Sequence, residues 1–336
     1  MENVSSPLRL GIVGAGHIGA RHALHASRLP DTVVAAVADP HLEKADAIAR
    51  PLGAVSYASA DALLATEVDA VIVAVPTHLH RTLSEQALAA GKHVLCEKPL
   101  ALTTEDCDAL IEAAERANRT LAVGQVLRFF PEYEHARRRM ESGAIGHPAA
   151  IRLRRAGRYP ETPWFADESQ SGGLLLDLLI HEFDFLRWCF GPVTRVFART
   201  LSERRLPRLD YALVTVRHAN GVLAHVEGVW GEPGGTHTAF EIAGDAGLLT
   251  HDSHLTETLR TATWREDGTG KVVFSAPLMP TDDPYYRQLA AFVDRIRRNE
   301  PPSVSAQDAR QAVAIARAAR ESARTGQPVS PEGENV

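Results

Sequence analysis

The first third of the chain alternates short apolar runs with longer stretches of helical spacing. The apolar runs are rich in Val, Ile and Ala, and each is followed by a segment that reads as a helix. Strands that are apolar almost throughout and are separated by helices are typical of a parallel sheet covered on both faces. With right-handed crossovers, this order predicts a doubly wound sheet. The predicted strands are 8–13, 32–38, 54–57, 69–75, 92–96 and 120–126.

The pattern changes after residue 145, where strand-like runs follow one another with hairpin turns such as Ala219-Asn220-Gly221. Successive hairpins predict a mostly antiparallel sheet, and one long helix over 172–190 is available to cover one of its faces. The fold class is therefore α/β: an N-terminal doubly wound Rossmann domain and a C-terminal α+β domain with a large, mostly antiparallel open sheet. The predicted domains are 1–125 and 126–303, and 304–336 forms a helix that packs back on the first domain, with a tail.

Composition supports two domains built in different styles. A chain of 336 residues is about twice the usual domain length of roughly 150 residues, and 45% hydrophobic and 23% charged residues are ordinary for a globular protein. Aromatic residues are unevenly placed: Tyr57 is the only one before Phe129, and all four Trp lie from Trp164 onward. Small side chains let helices lie close on the first sheet, which accounts for its lack of aromatic residues.

Charge and cysteine content exclude several classes of protein. The net charge of −6 argues against a nucleic-acid-binding surface. No apolar run approaches the 18 or so residues that span a bilayer, and the N-terminus carries no signal pattern. The three scattered cysteines do not form a disulfide framework or a zinc-ligand pattern, so we expect a cytoplasmic protein without a metal site.

A glycine-rich segment, Gly14-Ala15-Gly16-His17-Ile18-Gly19, directly follows the first strand and opens a helix. This context favours a dinucleotide-binding loop, in which Gly14 allows the tight turn, Gly16 the close approach of the pyrophosphate and Gly19 close helix packing. We expect the cofactor to contact Gly14, Gly16, His17, Ile18 and Gly19. Asp39 ends the next strand about 20 residues later, where an acid binds the ribose hydroxyls and repels a 2′-phosphate. The sequence therefore predicts NAD and disfavours NADP; a glycine turn in an unrelated α/β protein is the alternative.

Cys96-Glu97-Lys98-Pro99 ends the fifth predicted strand, at the edge where open α/β sheets bind ligands. A lysine there can hydrogen-bond a substrate hydroxyl and stabilise a developing alkoxide. Pro99 would make the turn rigid, and a Lys-Pro bond can adopt the cis form. Taken alone, Lys98 is more simply interpreted as a surface residue in a strand-end loop.

The predicted helix over 172–190 carries Asp177 and His181 four positions apart and Asp184 three positions further on. Residues with these spacings share one helix face. The rest of the helix is apolar nearly all round, so its polar groups need buried partners. They form either a structural network or an acid/base site, because histidine exchanges protons near neutral pH.

These motifs together resemble the Gfo/Idh/MocA family, typified by glucose–fructose oxidoreductase and inositol dehydrogenase. The resemblance covers essentially the whole chain. It is carried by the Gly14–Gly19 loop, Asp39-Pro40, Val75-Pro76-Thr77-His78-Leu79-His80, Glu97-Lys98-Pro99 and the Gly172-Gly173…Asp177…His181 segment. The Lys-Pro motif combined with the Asp-x3-His helix is far more specific than the glycine loop.

The resemblance implies that Lys98 and His181 assist hydride transfer, with His181 as the acid/base and Asp177 completing the site. It also implies that Pro76, Thr77, His80, Glu97 and Lys98 lie along the cofactor. The C-terminal domain would bind the substrate, and its open sheet face would form a homodimer or homotetramer.

The substrate pocket follows the family pattern less closely. Residues 155–160 lack the His-Arg-Asn-type sequence that inositol dehydrogenases often place on their substrate, which puts inositol in doubt. His237 stands where relatives often carry a substrate-contacting Tyr. The candidate substrate residues are Arg158, Tyr159, Trp164, Phe165 and His237. Each of them is equally compatible with a structural or surface role.

The leading hypothesis is an NAD-dependent dehydrogenase that acts on a secondary alcohol, or the corresponding ketone, of a sugar, cyclitol or related polyol. A second hypothesis within the family is a glycosidase that uses bound NAD for transient oxidation, elimination and rereduction. A third is a non-catalytic dinucleotide-binding regulatory protein, against which the presence of both Lys98 and His181 counts.

Overall fold

The computed structural model describes residues 6–201, 208–264, 272–275, 277 and 282–332. The chain divides into two compact units, residues 1–126 with 282–310 and residues 127–281 with 311–336. Helix Pro284–Arg298 therefore belongs to the first unit, although the sequence-based boundary had placed it in the second domain. Among the described residues, no helix combines the length and the hydropathy that crossing a bilayer requires.

The first unit contains a six-stranded sheet in which all neighbours are parallel. Its strands are β1 (Leu8–Val13), β2 (Thr32–Ala38), β3 (Val55–Tyr57), β4 (Ala70–Val73), β5 (His93–Glu97) and β6 (Leu121–Gly124), in the order β3-β2-β1-β4-β5-β6. The strand order reverses between β1 and β4. This is the doubly wound arrangement that the sequence predicts, and it confirms the expected fold class.

Helices cover this sheet with small side chains. They are α1 (His17–Ala26), α2 (Leu42–Ala49), α3 (Ala60–Leu64), α4 (His80–Ala89), α5 (Thr104–Ala117) and, after the second unit, α10 (Pro284–Arg298). The core of the unit includes Ala23 and Ala26 of α1, packed with Leu289 and Phe292 of α10. An apolar strand with helices on both sides loses nearly all its exposed surface, and Ile72 of β4 is fully buried.

The second unit contains an eight-stranded sheet in the order β14-β13-β12-β11-β7-β10-β9-β8. Its strands are β7 (Pro148–Gly157), β8 (Val193–Thr200), β9 (Asp210–His218), β10 (Leu223–Trp230), β11 (His237–Gly244), β12 (Gly247–Asp252), β13 (Leu259–Trp264) and β14 (Val272–Ser275). Neighbouring strands are antiparallel except β7 and β10, which are parallel. The mostly antiparallel open sheet is thus confirmed.

One face of this sheet is covered and the other is open. The helices of the unit are α6 (Pro131–Glu141), α7 (Pro163–Ala166), α8 (Glu168–Ser171), α9 (Ile180–Phe190) and the greater part of α11 (Ala306–Thr325). Tyr133 of α6 is buried among the rings of Phe185, Phe240 and His251. On the opposite face, Leu213 is 45% exposed.

Candidate active site

The glycine loop between β1 and α1 has the backbone that a dinucleotide-binding turn requires. Gly14 has a φ of +101°, and a Cβ at this position would lie 2.1 Å from the carbonyl oxygen of Ala74. A Cβ at Gly19 would lie 1.9 Å from the Gly14 oxygen, so α1 packs tightly on the loop. At Gly16, by contrast, no heavy atom of the described residues lies within 4 Å of such a Cβ. The loop therefore leaves open space where a pyrophosphate would approach.

The N-terminus of α1 fits an anion. Gly16 is the N-cap and supplies no side-chain hydrogen bond to the first turn. His17 is exposed and Ile18 is half-buried at the start of the helix. Free N–H groups and the positive end of the helix dipole bind phosphate groups, so these residues fit the role that the sequence predicts for them.

Asp39 follows β2 and is fixed by the loop itself. Its Oδ2 accepts a hydrogen bond of 2.8 Å from the backbone N–H of Ala15, and its Oδ1 accepts one of 2.9 Å from His41. Each carboxylate oxygen can accept a further hydrogen bond, so ribose hydroxyls can still bind here. A negative 2′-phosphate would be repelled, which agrees with NAD as the cofactor.

His80, at the start of α4, joins the ends of two strands. Its Nδ1 lies 2.7 Å from the carbonyl oxygen of Pro99, and its Nε2 lies 2.9 Å from that of Val75. Burial lowers the pKa of His80, and the two carbonyl contacts and the charge of Glu97 oppose this effect. Thr77, which the resemblance places along the cofactor, is buried, and Pro76 is half-buried.

Glu97 and Lys98 lie at the end of β5, at the carboxyl edge of the sheet. Glu97 is buried, and its Oε1 accepts a hydrogen bond of 2.7 Å from His22 Nε2, while its Oε2 accepts one of 3.2 Å from the Lys98 backbone. Burial would raise the pKa of Glu97, but the His22 hydrogen bond and the Lys98 charge hold it below its ordinary value. Lys98 is half-buried, and the Lys98–Pro99 peptide bond is cis.

The segment that carries Asp177 is not the single long helix that the sequence predicts over 172–190. Gly172 and Gly173 both have positive φ, a π-helical turn spans Leu174–Leu178, and α9 begins at Ile180. Asp177 is 5% exposed within this π-helical turn, and half-buried His181 lies in the first turn of α9. The four-residue spacing therefore bridges a helix irregularity of the kind that is frequent at functional sites.

The acidic residues of α9 form buried ion pairs. Arg128 donates from Nε and Nη2 to the two oxygens of Asp184, at 2.8 and 2.7 Å, and both side chains are almost fully buried. Arg155 of β7 donates to Glu182 at 2.7 Å. Asp184 therefore belongs to a structural network that holds α9 in place, and the acid/base hypothesis concerns Asp177 and His181.

The candidate substrate residues fall into two groups. Arg158 is exposed, and Tyr159 is half-buried, just beyond the end of β7. Trp164 and Phe165 lie on α7 with ring centroids 5.2 Å apart, and Phe165 also packs edge-on against Trp230 at 5.4 Å. The two α7 rings are only partly covered, so each can still offer surface to a ligand.

His237, at the start of β11, belongs to a polar network. Its Nδ1 accepts a hydrogen bond from Arg154 Nη1, its Nε2 donates to Asp252 Oδ1 at 2.9 Å, and its ring stacks on that of His254. His237, Asp252 and His254 are also close enough to share a metal ion. A metal on Nε2 would require a proton on Nδ1, which faces the Arg154 guanidinium, so the geometry favours the hydrogen-bonded network.

Sequence reasoning missed His22 and Arg128. His22 lies on an Ala-rich helix, and a fully buried imidazole there requires a partner that the sequence places 75 positions away. The His22–Glu97 pair could have been found from two features: a polar residue on the buried face of α1, and an acidic residue at a strand end. Arg128 follows β6, and nothing local indicates its pairing with Asp184.

In a comparison with known protein families, two family models match consecutive parts of the chain. The oxidoreductase family model with an NAD-binding Rossmann fold matches residues 8–125, and the GFO/IDH/MocA C-terminal domain matches residues 133–250. The chain is 30% identical over 323 residues to myo-inositol 2-dehydrogenase of Thermotoga maritima, covering 94% of this chain and 96% of that protein.

Two further relatives carry other descriptions. The chain is 34% identical over 190 residues to 2,7-anhydro-N-acetylneuraminate hydratase of Escherichia coli, covering 55% of this chain and 50% of that protein. The crystal structure of GenD2 from gentamicin A biosynthesis, in complex with NAD, superposes with a TM-score of 0.86 at 27% identity and covers 99% of this chain and 98% of that one. These comparisons confirm the predicted family resemblance, the NAD-binding Rossmann domain and the class of oxidoreductase.

Proposed function

Because the chain belongs to the Gfo/Idh/MocA oxidoreductase family, we propose that it transfers hydride between NAD and a secondary alcohol or ketone of a sugar, cyclitol or related polyol. The observation that carries this proposal is that the Lys98 motif and the Asp177–His181 motif both lie in irregular, partly buried segments of the backbone. The Lys98 backbone donates a hydrogen bond to Glu97 at the end of β5, and Asp177 and His181 flank the junction between a π-helical turn and α9.

Each side chain has a distinct part in this reaction. His181 takes the proton of the substrate hydroxyl during oxidation and returns it during reduction, since imidazole exchanges protons near neutral pH. The Lys98 ammonium donates a hydrogen bond to the same oxygen and stabilises the negative charge that develops on it. Buried Asp177 positions substrate hydroxyls or orients the His181 ring. Bound NAD supplies the nicotinamide carbon that accepts the hydride.

The cofactor would be held by the residues that the loop and the strand ends provide. Gly14, Gly16, His17, Ile18 and Gly19 would surround the pyrophosphate at the N-terminus of α1. Asp39 would bind the adenosine ribose. Pro76, Thr77, His80 and Glu97 would lie along the rest of the dinucleotide.

The aromatic pair Trp164–Phe165 is proposed to bind the apolar face of a sugar or cyclitol ring. Half-buried aromatic rings combine a large apolar surface with a polar or exposed edge, which suits a polyhydroxylated ring. Arg158 and Tyr159 are proposed to hydrogen-bond the hydroxyls. His237 is proposed to act in the network with Arg154 that fixes its tautomer.

The experiment is to incubate the purified protein with NAD and a panel of polyols, and to follow NADH formation for the wild type and for His181→Ala. General acid/base catalysis contributes about 10²- to 10⁴-fold, so we expect the variant to lose at least about 100-fold in kcat on the active polyol. His147→Ala removes an exposed histidine of the second unit and should retain full activity. Equal turnover by His181→Ala would exclude His181 as the base.

A second candidate is oxidation followed by elimination and rereduction, with no net formation of NADH. The similarity to the hydratase of Escherichia coli supports this alternative. The same protein would then convert a glycoside or anhydro-sugar with catalytic amounts of NAD. Product formation without accumulation of NADH would favour this candidate over the dehydrogenase.

We also propose that the open face of the second sheet forms a homodimer or homotetramer interface. Leu213 of β9 and Leu223 of β10 are 45% and 46% exposed on this face. Both leucines lie on the face that the helices of the unit leave uncovered, which makes this face the proposed contact surface. Light scattering should show an oligomer for the wild type and a smaller species for Leu213→Asp. Leu42→Asp, at an equally exposed leucine of α2, should leave the mass unchanged.

A further inference from the structure

His22 connects the helix that follows the glycine loop to the strand end that carries Lys98. It lies in the middle of α1, its side chain is fully buried, and its Nε2 donates a hydrogen bond of 2.7 Å to Glu97 Oε1. Ring contacts with Tyr285 of α10 hold the imidazole from another side, at a centroid distance of 5.9 Å. Since Glu97 is ionised and accepts only, Nε2 must carry the proton.

Glu97 passes this constraint on to Lys98. While Oε1 is held by His22, Oε2 accepts a hydrogen bond of 3.2 Å from the backbone N–H of Lys98. On the neighbouring strand, Gly124 lies directly opposite Glu97, and a Cβ there would come within 2.8 Å of Oε2. The carboxylate is therefore fixed between α1, β6 and the peptide unit of Lys98, and the missing side chain at Gly124 makes room for it.

We propose that His22 is a positioning residue that couples dinucleotide binding at the N-terminus of α1 to the conformation of Lys98. The proposal rests on the NAD-binding role of the glycine loop. A pyrophosphate at the first turn restrains α1, and the buried His22–Glu97 hydrogen bond transmits that restraint across the sheet edge to the Lys98 backbone. A buried hydrogen bond to a charged group is stronger than a neutral one, which suits it to this task.

The test is hydrogen–deuterium exchange at the backbone amide of Lys98, with and without NAD, for the wild type and for His22→Leu. Opening a strand end exposes its amide to exchange, so this measurement reads the Lys98 peptide directly. In the wild type, NAD should slow exchange at Lys98. In His22→Leu, exchange without NAD should rise by about three- to tenfold, as expected for the loss of one hydrogen bond, and the protection by NAD should disappear.

Three further variants separate positioning from general loss of structure. His22→Gln keeps an N–H donor that can reach Glu97, and should restore most of the protection. Gly124→Ala pushes on Glu97 from β6 with His22 intact, and should reproduce the His22→Leu result. The matched control is His25→Leu: His25 is buried on the same helix but faces Asp283, with Nε2 3.4 Å from Oδ1, and its loss should leave Lys98 exchange unchanged.

Calorimetric titration with NAD, carried out together with the exchange measurement, separates failure of NAD binding from failure of the positioning role of His22. If the wild type does not bind NAD, the proposed function fails. If it binds NAD but His22→Leu and Gly124→Ala exchange at Lys98 like His25→Leu, the positioning role of His22 is overturned. Should His22→Leu fail to fold, Gly124→Ala decides the outcome by the same criterion.

Discussion

The strand end that carries Lys98 and the segment that carries Asp177 and His181 are stabilised in different ways. In the first unit, three of the four hydrogen bonds described around the Lys98 strand end join His80 or Glu97 to backbone atoms, and the fourth joins His22 to Glu97. In the second unit, α9 is held by charged side chains that pair with one another inside the protein.

This difference has consequences for how each region responds to change. Hydrogen bonds to the backbone depend on local geometry, so small steric changes should alter the Lys98 region. Buried ion pairs depend on keeping both partners, because removal of one leaves an uncompensated buried charge. Different substitutions should therefore disturb the two regions: steric changes should disturb the Lys98 region, and loss of one charged partner should destabilise α9.

The largest effect is expected from Asp184→Ala. Loss of one member of a buried ion pair costs about 3–5 kcal/mol, and the remaining Arg128 is 6% exposed, so the free energy of unfolding should fall by that amount. Affinity for NAD should be unchanged, because Asp184 belongs to the second unit. Urea unfolding and calorimetric titration measure the two quantities.

The control for Asp184→Ala is Glu112→Ala, which removes an exposed partner of Arg116 on α5. Exposed pairs add little to stability, so this variant should unfold like the wild type. A loss of less than about 1 kcal/mol in Asp184→Ala would mean that the buried pair does not hold α9.

An effect of intermediate size is expected on the pH dependence of stability, and it comes from His218 at the end of β9. Burial lowers the pKa of His218 from 6.5 to about 4, against a hydrogen bond of 3.0 Å to the Gly191 carbonyl. The unfolded chain therefore binds more protons between these values, so stability is full above pH 6.5 and falls as the pH drops towards 4. The contribution over this window is about 3 kcal/mol.

Unfolding measured at several pH values should show a shallower decline for His218→Gln than for the wild type. His147→Gln, at an exposed histidine, should leave the slope unchanged. If His218→Gln and the wild type lose stability in parallel below pH 6.5, burial of this imidazole does not cause the loss of stability in acid.

The smallest change in stability, with a clear change in binding, is expected from Gly16→Ala. A Cβ at Gly16 meets no described atom within 4 Å, so the free energy of unfolding should be retained. The same Cβ enters the space in front of α1, so affinity for NAD should fall at least about tenfold, or about 1.4 kcal/mol. Titration of Gly16→Ala with the affinity of the wild type would contradict the assignment of the pyrophosphate site.

The regular parts of the fold could be predicted because local pattern and tertiary structure agree there. The apolar runs that end at Asp39 and Glu97 form parallel strands, and the alternation after residue 145 forms the second sheet. The glycine loop was predictable for the same reason. The strand before it and the helix after it, which identify it as a dinucleotide-binding loop, are adjacent to it in the sequence.

The irregular and long-range features could not be predicted in this way. The π-helical turn at Leu174–Leu178 depends on two left-handed glycines and on packing against β9 and β10, so its apolar sequence reads as ordinary helix. The pairs His22–Glu97 and Arg128–Asp184 join residues 75 and 56 positions apart. A single sequence carries no signal for such pairings until the fold brings their elements together.

The most direct test of the central claim is NADH formation from NAD and a panel of sugars and cyclitols, compared between wild type, Lys98→Met and His181→Ala. We expect at least one polyol to be oxidised with one NADH formed per ketone. Each variant should lose at least about 100-fold in kcat while still binding NAD. Full activity in both variants, or product formed from glycosides without any NADH, would contradict a dehydrogenase built on Lys98 and His181.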